Sequence, residues 1–322
     1  MKTVHSVRKG VVLAMALSAF MLPSAHALTV YTAGPGSLAK SLATGYEKKT
    51  GVKVDIFQAT TGKVMARLEA EQANPQADIL ISASWDTAED FQHRGWLMPY
   101  QSSNAENVPA SLKTSEYVAQ GISALGIVWN TKSGTPEPKE WNDLTAPAFK
   151  DKVTTPDPAL SGASLDLLIG LQNGMGDKAW ALFDKLKQNG MVVSGPNAQA
   201  VTPVMQGAKA AVFGAVDYVS YGNISQGEAL KVIFPASGTV IAPRPMMILK
   251  TTQHAADAKA FVDYVLSPEG QSMVADAWLM PARTDVQARR PLLADLKILP
   301  TSHDGNSDRS DVLNRFNTLF TK

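Results

Sequence analysis

From Leu28 onward, short β-rich runs alternate with longer helical patterns, and this rhythm constrains the fold more than any other feature of the chain. Residues 28–31 read as a strand, and Ala33-Gly34-Pro35-Gly36 as a turn. Ser37 is placed to cap a helix that runs to Thr50 and ends at Gly51. Residues 52–57 form a second expected strand, Thr60-Thr61-Gly62 a turn, and 63–72 a helix with Val64, Met65 and Leu68 on one side. Asn74-Pro75 breaks that helix. Residues 78–82 make a third strand, followed by a helix over 87–93 that closes at Gly95. A β-α-β-α-β order predicts a parallel sheet covered by helices.

A second set of units follows. The apolar run 122–129 reads as a strand passing between domains, 141–144 as a short helical turn and 153–155 as a strand. Ser161-Gly162-Ala163-Ser164 opens a helix through Leu171, and 177–188 is amphipathic. Short strands are expected at 192–194 and 210–215, with a helix over 199–207 between them. Residues 241–249 read as another crossing strand despite Pro243 and Pro245. Helices are expected at 254–266, 268–277 and 312–320, with a polar loop at 300–311. A domain that begins, is interrupted and resumes needs at least two crossings, and crossings make a hinge. The expected fold is therefore α/β and two-lobed, with hinge strands. Lobe 1 takes 28–125 and 246–285, lobe 2 takes 126–245, and 286–322 form a C-terminal helical extension.

The first 27 residues have the form of a cleaved export signal. Lys2, Arg8 and Lys9 give a basic start, 11–22 is a short apolar run, and Ala25-His26-Ala27 puts small residues where a signal peptidase reads. The run is about 12 residues, too short to span a bilayer core of roughly 30 Å. A periplasmic location follows as an expectation. Removing three basic residues takes the formal charge from +1 to −2 over the remaining 295 residues, 28 to 322. That balance gives no basic face for nucleic acid. With no cysteine there is no disulfide, thiolate metal site or Cys nucleophile.

Four loops that precede helices are rich in glycine and hydroxyls: Gly34-Pro35-Gly36-Ser37, Thr60-Thr61-Gly62-Lys63, Ser82-Ala83-Ser84-Trp85 and Ser161-Gly162-Ala163-Ser164. Loops after parallel strands gather at the ligand-binding edge of a sheet. Helix N-termini there present unpaired N–H groups and partial positive charge, which attract anions. The same residues also serve as ordinary N-caps. Gly62-Lys63 does not complete a P-loop, because Phe57 stands at the first glycine position and Val64 where Ser or Thr is required. Asp217-Tyr218-Val219-Ser220-Tyr221 supplies an acid and two phenols for an amine, sugar hydroxyls or a hard metal, or else a helix start with a packed tyrosine. Arg244, between two prolines, is a candidate for the cleft, and Arg283 reads as a surface arginine. His93, His254 and His303 each stand alone in polar surroundings, and Trp85, Trp96, Trp129 and Trp141 read as packing residues. No H-E-x-x-H, nucleophile elbow or Ser/His/Asp set is present, so no enzyme activity, cofactor or resident metal is expected.

An ordered series of segments carries a resemblance. It runs through Leu28-Thr29-Val30-Tyr31-Thr32-Ala33, Tyr46-Glu47-Lys48-Lys49-Thr50-Gly51-Val52-Lys53-Val54, Asn74-Pro75-Gln76-Ala77-Asp78-Ile79-Leu80, Gly126-Ile127-Val128-Trp129-Asn130, Ser267-Pro268-Glu269-Gly270-Gln271 and Pro281-Ala282-Arg283. In this order they resemble the type 2 periplasmic binding proteins, in the branch of ferric-ion, phosphonate and sugar-phosphate binders. The resemblance implies two lobes closing on a small anionic ligand that a monomeric receptor hands to an inner-membrane ABC permease. The expected ligand is a small organic phosphate or phosphonate, such as a hexose phosphate or aminoethylphosphonate. Its expected contacts are Ser37, Thr60, Thr61, Gly62, Ser84, Trp85, Ser161, Gly162, Ala163, Ser164, Asp217, Tyr218, Tyr221 and Arg244. Ferric binders of this branch use an adjacent tyrosine pair. Here Tyr218 and Tyr221 are the alternative Fe3+ ligands, separated by Val219-Ser220.

Overall fold

The computed structural model describes residues 27–299 and 308–320. The export signal, all but its last residue, and positions 300–307 of the expected polar loop lie outside the described residues. Strands β1 (Leu28–Thr32), β2 (Val54–Gln58) and β3 (Ile79–Ile81) alternate with helices α1 (Gly36–Thr50), α2 (Thr61–Ala70) and α3 (Trp85–His93). β1 pairs in parallel with both β2 and β3, as the alternation requires. Gly51 ends α1 at φ 77°, a backbone conformation that glycine adopts without a Cβ penalty.

The chain then runs along β4 (Tyr117–Asn130), all 14 residues of which are buried. A strand covered on both faces reads as a continuous apolar run rather than an alternation. β4 starts five residues before the apolar run that announces it. The second lobe contains β5 (Val153–Thr155), α4 (Gly162–Met175), α5 (Asp177–Gln188), β6 (Val192–Val193), α6 (Asn197–Met205), β7 (Ala211–Val216), α7 (Asp217–Ser225) and β8 (Leu230–Ile233). β5 pairs in parallel with β6 and β7. Next, β9 (Ile241–Ile248) returns antiparallel to β4 and β3. After it come α8 (Ala255–Val265), α9 (Pro268–Asp276), β10 (Met280–Pro281) and α10 (Arg309–Phe320).

β4 and β9 carry the crossing. The first half of β4 pairs with β9, from Tyr117 opposite Met247 to Ala124 opposite Ile241. Its second half pairs with β7 and β8. The packed core divides at the same place. Ala124 and Met246 belong with Leu28, Val30, Leu42 and Phe261. Leu125 and Ala242 belong with Trp141, Phe149, Phe183 and Phe213. Gly126 is required at this passage, since a Cβ there would lie 2.7 Å from the Ile233 carbonyl oxygen. Pro243 and Pro245 sit opposite the register shift between Ala119 and Ile122, where the loss of a ladder N–H costs least. The C-terminal extension makes a further crossing. Leu292, Leu293 and Leu296 pack on the first core, and Leu299, Val312 and Phe316 enter the second.

Candidate functional site

Parallel strands in both lobes deliver their following loops to one seam, where the N-termini of α2, α3 and α4 meet. The Gly162 amide donates to the Thr61 hydroxyl across the seam at 3.3 Å. A Cβ on Gly162 would fall 3.1 Å from both Ser84 Cβ and Thr61 Oγ1, and one on Gly62 only 2.9 Å from the Ala159 carbonyl oxygen. Thr61, Gly62, Ser84 and Gly162 are thus in one place, and glycine lets the lobes approach this closely. Ser161 is joined by Asn197, whose amide donates to its hydroxyl at 2.8 Å.

Ser161 caps its own helix, accepting from the Ser164 amide at 3.2 Å. The other hydroxyls do not act as caps. Thr60 and Ser84 stand at the N-cap positions of α2 and α3 without a side-chain cap bond. α1 is preceded by Pro35, so Ser37 lies exposed in its first turn rather than capping it. The free amides of these first turns retain their donor capacity and partial positive charge. Thr60 Oγ1, Asn197 Oδ1 and Ser220 Oγ are buried without partners among the described residues. Each such group costs about 1–3 kcal/mol unless something bonds it.

A second corner forms around Gly34. Arg244, 1% exposed, donates to the Ala33 carbonyl at 3.2 Å and to the Tyr218 hydroxyl at 3.3 Å. Gln58 donates to the Gly34 carbonyl at 3.4 Å. Gln120 reaches the same corner from β4.

Other expected contacts point elsewhere. Asp217 is fully buried. Its oxygens accept from the Ala124 and Tyr218 amides and from Arg290, the last at 2.5 Å. Burial pushes its carboxyl upward, and the Arg290 charge opposes that. It is a hinge anchor, in contrast to the expected contact with the polar part of a ligand. The Trp85 ring packs edge-on against Tyr117 at 5.0 Å. Ala163 is fully buried, and the Ser164 hydroxyl donates to the Pro156 carbonyl. Tyr221 stacks on Trp278 at 6.1 Å and lies under the Arg290 guanidinium. Burial pushes its phenol up to about 12. Tyr218 and Tyr221 therefore have different partners. Three further readings need correction. His254 is paired with Asp78 at 3.1 Å rather than alone. Arg283 is tied to the Asn104 and Leu266 carbonyls and to Asp285 rather than free at the surface. Trp96, 36% exposed, is less a packing residue than the other tryptophans.

Residues that sequence reasoning missed complete the seam. The Ser84 hydroxyl donates to Asp166 of α4 at 2.7 Å. Arg309, opening α10, donates to Asp166 at 3.1 Å and also to Asp86 of α3. Asn197 was detectable, since Ser194-Gly195-Pro196-Asn197 is a fifth loop of the same composition before a helix. Gln120 was detectable as the polar residue in an apolar strand. Among the described residues, no group of three or more His, Cys, Asp or Glu side chains is placed to hold a metal ion, and no helix is long and apolar enough to cross a membrane.

Comparison with known proteins agrees with this architecture. The family described as "Bacterial extracellular solute-binding protein" matches residues 74–305. A periplasmic protein of Salmonella typhimurium, whose name proposes 2-aminoethylphosphonate as its ligand, is 26% identical over 292 residues, covering 84% of each chain. The periplasmic binding protein AfuA of Actinobacillus pleuropneumoniae, solved with exogenous fructose-6-phosphate bound, superposes with a TM-score of 0.82 at 25% identity, covering 91% of this chain and 98% of its own. Iron-bound HitA of Pseudomonas aeruginosa shares the fold, with a TM-score of 0.77 at 19% identity over 91% of this chain and 97% of its own. Two hinged α/β lobes that meet at helix N-termini, together with the family match, identify this chain as a member of the bacterial extracellular solute-binding proteins, a type 2 periplasmic binding protein of an ABC importer.

Proposed function

We propose that this receptor captures a small organic phosphate or phosphonate, in the class of hexose phosphates and aminoethylphosphonate, and delivers it to an inner-membrane ABC permease. The observation that supports this reading is the meeting of the α2, α3 and α4 N-termini across the seam, with side-chain caps missing from α2 and α3. An oxyanion held there accepts from backbone amides and from the hydroxyls of Thr60, Thr61 and Ser161, the Ser84 hydroxyl being committed to Asp166. Such charge-assisted bonds strengthen as closure excludes water. The protein acts as a monomer in the periplasm after loss of residues 1–27, and it binds its ligand without transforming it.

The ferric reading has weaker support. A phenolate ligand needs a phenol free to face the metal beside its partner, whereas Tyr221 is packed between Trp278 and Arg290 and Tyr218 meets Arg244 instead. Calorimetry with glucose 6-phosphate, aminoethylphosphonate and Fe(III) separates the two readings. Micromolar binding of a phosphate or phosphonate supports the proposal. Binding of iron alone, with a visible charge-transfer band lost in Tyr218→Phe, overturns it.

A further inference from the structure

Arg244 is a buried cation without an acid. It is 1% exposed, and no ion pair among the described residues includes it. Its neighbours are neutral: the Ala33 carbonyl, the Tyr218 hydroxyl and the Tyr218 ring 5.2 Å below the guanidinium. Its buried Nε has no partner among the described residues, and neither has the buried Oε1 of Gln120. Both side chains border Gly34. A Cβ built on that glycine would stand 3.8 Å from Arg244 Nη1 and 4.0 Å from Gln120 Oε1. The same Cβ would stand 3.0 Å from Thr32 Oγ1, so only glycine fits where the two unpartnered polar atoms converge.

Arginine is almost never fully buried unless paired. A carbonyl, a phenol and a ring face soften the desolvation of a guanidinium but do not balance its charge. The hydrogen bonds of Arg244 go to Ala33 and Tyr218, and none reaches Thr61, Ser84 or Gly162. We infer that Arg244, with Gln120 beside it, is a second recognition point that takes a carboxylate of the ligand. The preferred ligand is then a small phosphorylated carboxylic acid, a narrower class within the organic phosphates. A carboxylate accepts from Nε in the planar geometry that guanidinium favours. A hydroxyl on the same ligand serves the Gln120 amide whichever way that amide is turned. This inference rests on the phosphate reading proposed above.

Calorimetry on the mature chain with inorganic phosphate, glycerol 3-phosphate and 3-phosphoglycerate tests it, because the last two share a phosphate and differ by the carboxylate. The expected result is 3-phosphoglycerate binding at least about tenfold more tightly than glycerol 3-phosphate, as a charge-assisted contact should give. Arg244→Gln should erase that preference and leave inorganic phosphate within about twofold. Gln120→Leu, which retains every bond Arg244 makes, should weaken 3-phosphoglycerate but not inorganic phosphate, so the test survives if Arg244→Gln fails to fold. Equal affinity of the wild type for glycerol 3-phosphate and 3-phosphoglycerate overturns the inference and spares the phosphate reading. Equal weakening of all three probes in Arg244→Gln also overturns it, by putting Arg244 on the phosphate. If no phosphate binds at all, both readings fall.

Discussion

The Ser84 hydroxyl of one lobe donates a 2.7 Å hydrogen bond to the Asp166 carboxylate of the other. Asp166 lies one helical turn beyond Gly162, whose amide meets Thr61 across the same seam. Closing the lobes therefore brings a carboxylate out of water at the moment it brings uncapped amides together. The carboxylate is not left alone. Arg309 donates to it at 3.1 Å and to Asp86 of the facing lobe, so three charged groups from α3, α4 and α10 share the seam.

Burial pushes the Asp166 carboxyl from its ordinary 3.8 up to about 6, with Asp86 adding to the shift and Arg309 and Ser84 opposing it. A carboxyl with a raised folded-state pKa binds its proton more tightly when folded than when unfolded. Its contribution to stability therefore falls as pH rises through the window from about 4 to about 6. Burial pushes Asp217 in the same direction. Melting temperature should decline across this window, and Asp166→Asn should flatten the decline. A slope unchanged in Asp166→Asn would show that Asp166 does not set it.

Alanine at the seam glycines should block closure while sparing the lobes. In Gly62→Ala the new Cβ meets the Ala159 carbonyl oxygen at 2.9 Å, and in Gly162→Ala it meets Ser84 Cβ and Thr61 Oγ1 at 3.1 Å. All these contacts are between lobes, and alanine favours the helical turns in which both glycines lie. Urea unfolding should shift by less than about 1 kcal/mol, the ordinary range for a change that leaves the core intact. The radius of gyration with 1 mM glucose 6-phosphate should stay at the ligand-free value. Normal compaction in Gly62→Ala would refute the steric account.

The alternation of strand and helix was legible because a parallel sheet leaves a local record. β-branched runs, glycine stops and hydroxyl-rich starts all act within a few residues of each other. Thr61, Ser84 and Gly162 could be picked out on that ground, and they meet as their loop positions imply. Asp217 shows where local reading fails. An acid opening a helix looks available, but Arg290, 73 residues later, takes it. Asp166 and Arg309 are separated by 143 positions, and no spacing rule connects them. Tyr221 was read as a polar contact and instead stacks on Trp278, because a tyrosine's neighbours are set by tertiary packing. Length and polarity placed β4 only in part, since Gln120 interrupts its apolar run just where the strand faces the Gly34 corner.

The Asp217–Arg290 pair should prove the costliest polar contact to break. Both side chains have no exposed surface, and Asp217 also holds the Ala124 amide on the crossing strand. Removing one partner leaves a buried charge without compensation, which costs on the order of 3–5 kcal/mol. Arg290→Met should lower stability by that amount in urea unfolding. The Asp217→Asn, Arg290→Met double variant should recover part of the loss. A double variant as unstable as the sum of the singles would show that the two residues act independently.

Arg309 offers a way to weaken closure without altering the hinge or the helix amides proposed to hold the anion. Its helix is fixed to the second lobe by Val312 and Phe316, both buried, with Phe316 edge-on to Phe183 at 6.1 Å. Replacing Arg309 with glutamine leaves that packing in place and removes the cation between Asp86 and Asp166. Two carboxylates then face each other across the seam, and like charges at such range disfavour the closed form. The exposed share of Arg309, about a third of its side chain, limits the effect on global stability, because solvent screens a partly open pair. The loss should appear in the rate of opening instead. Glucose 6-phosphate should dissociate several-fold faster from Arg309→Gln than from wild type in stopped-flow measurements, with its association rate little changed, since most interface changes act on release. Adding Asp86→Asn to that variant removes the repulsion and should restore slow release. If release stays fast in the double variant, repulsion between the two carboxylates is not the cause. If Arg309→Gln alone leaves release unchanged, the bridge exerts no hold on the closed lobes.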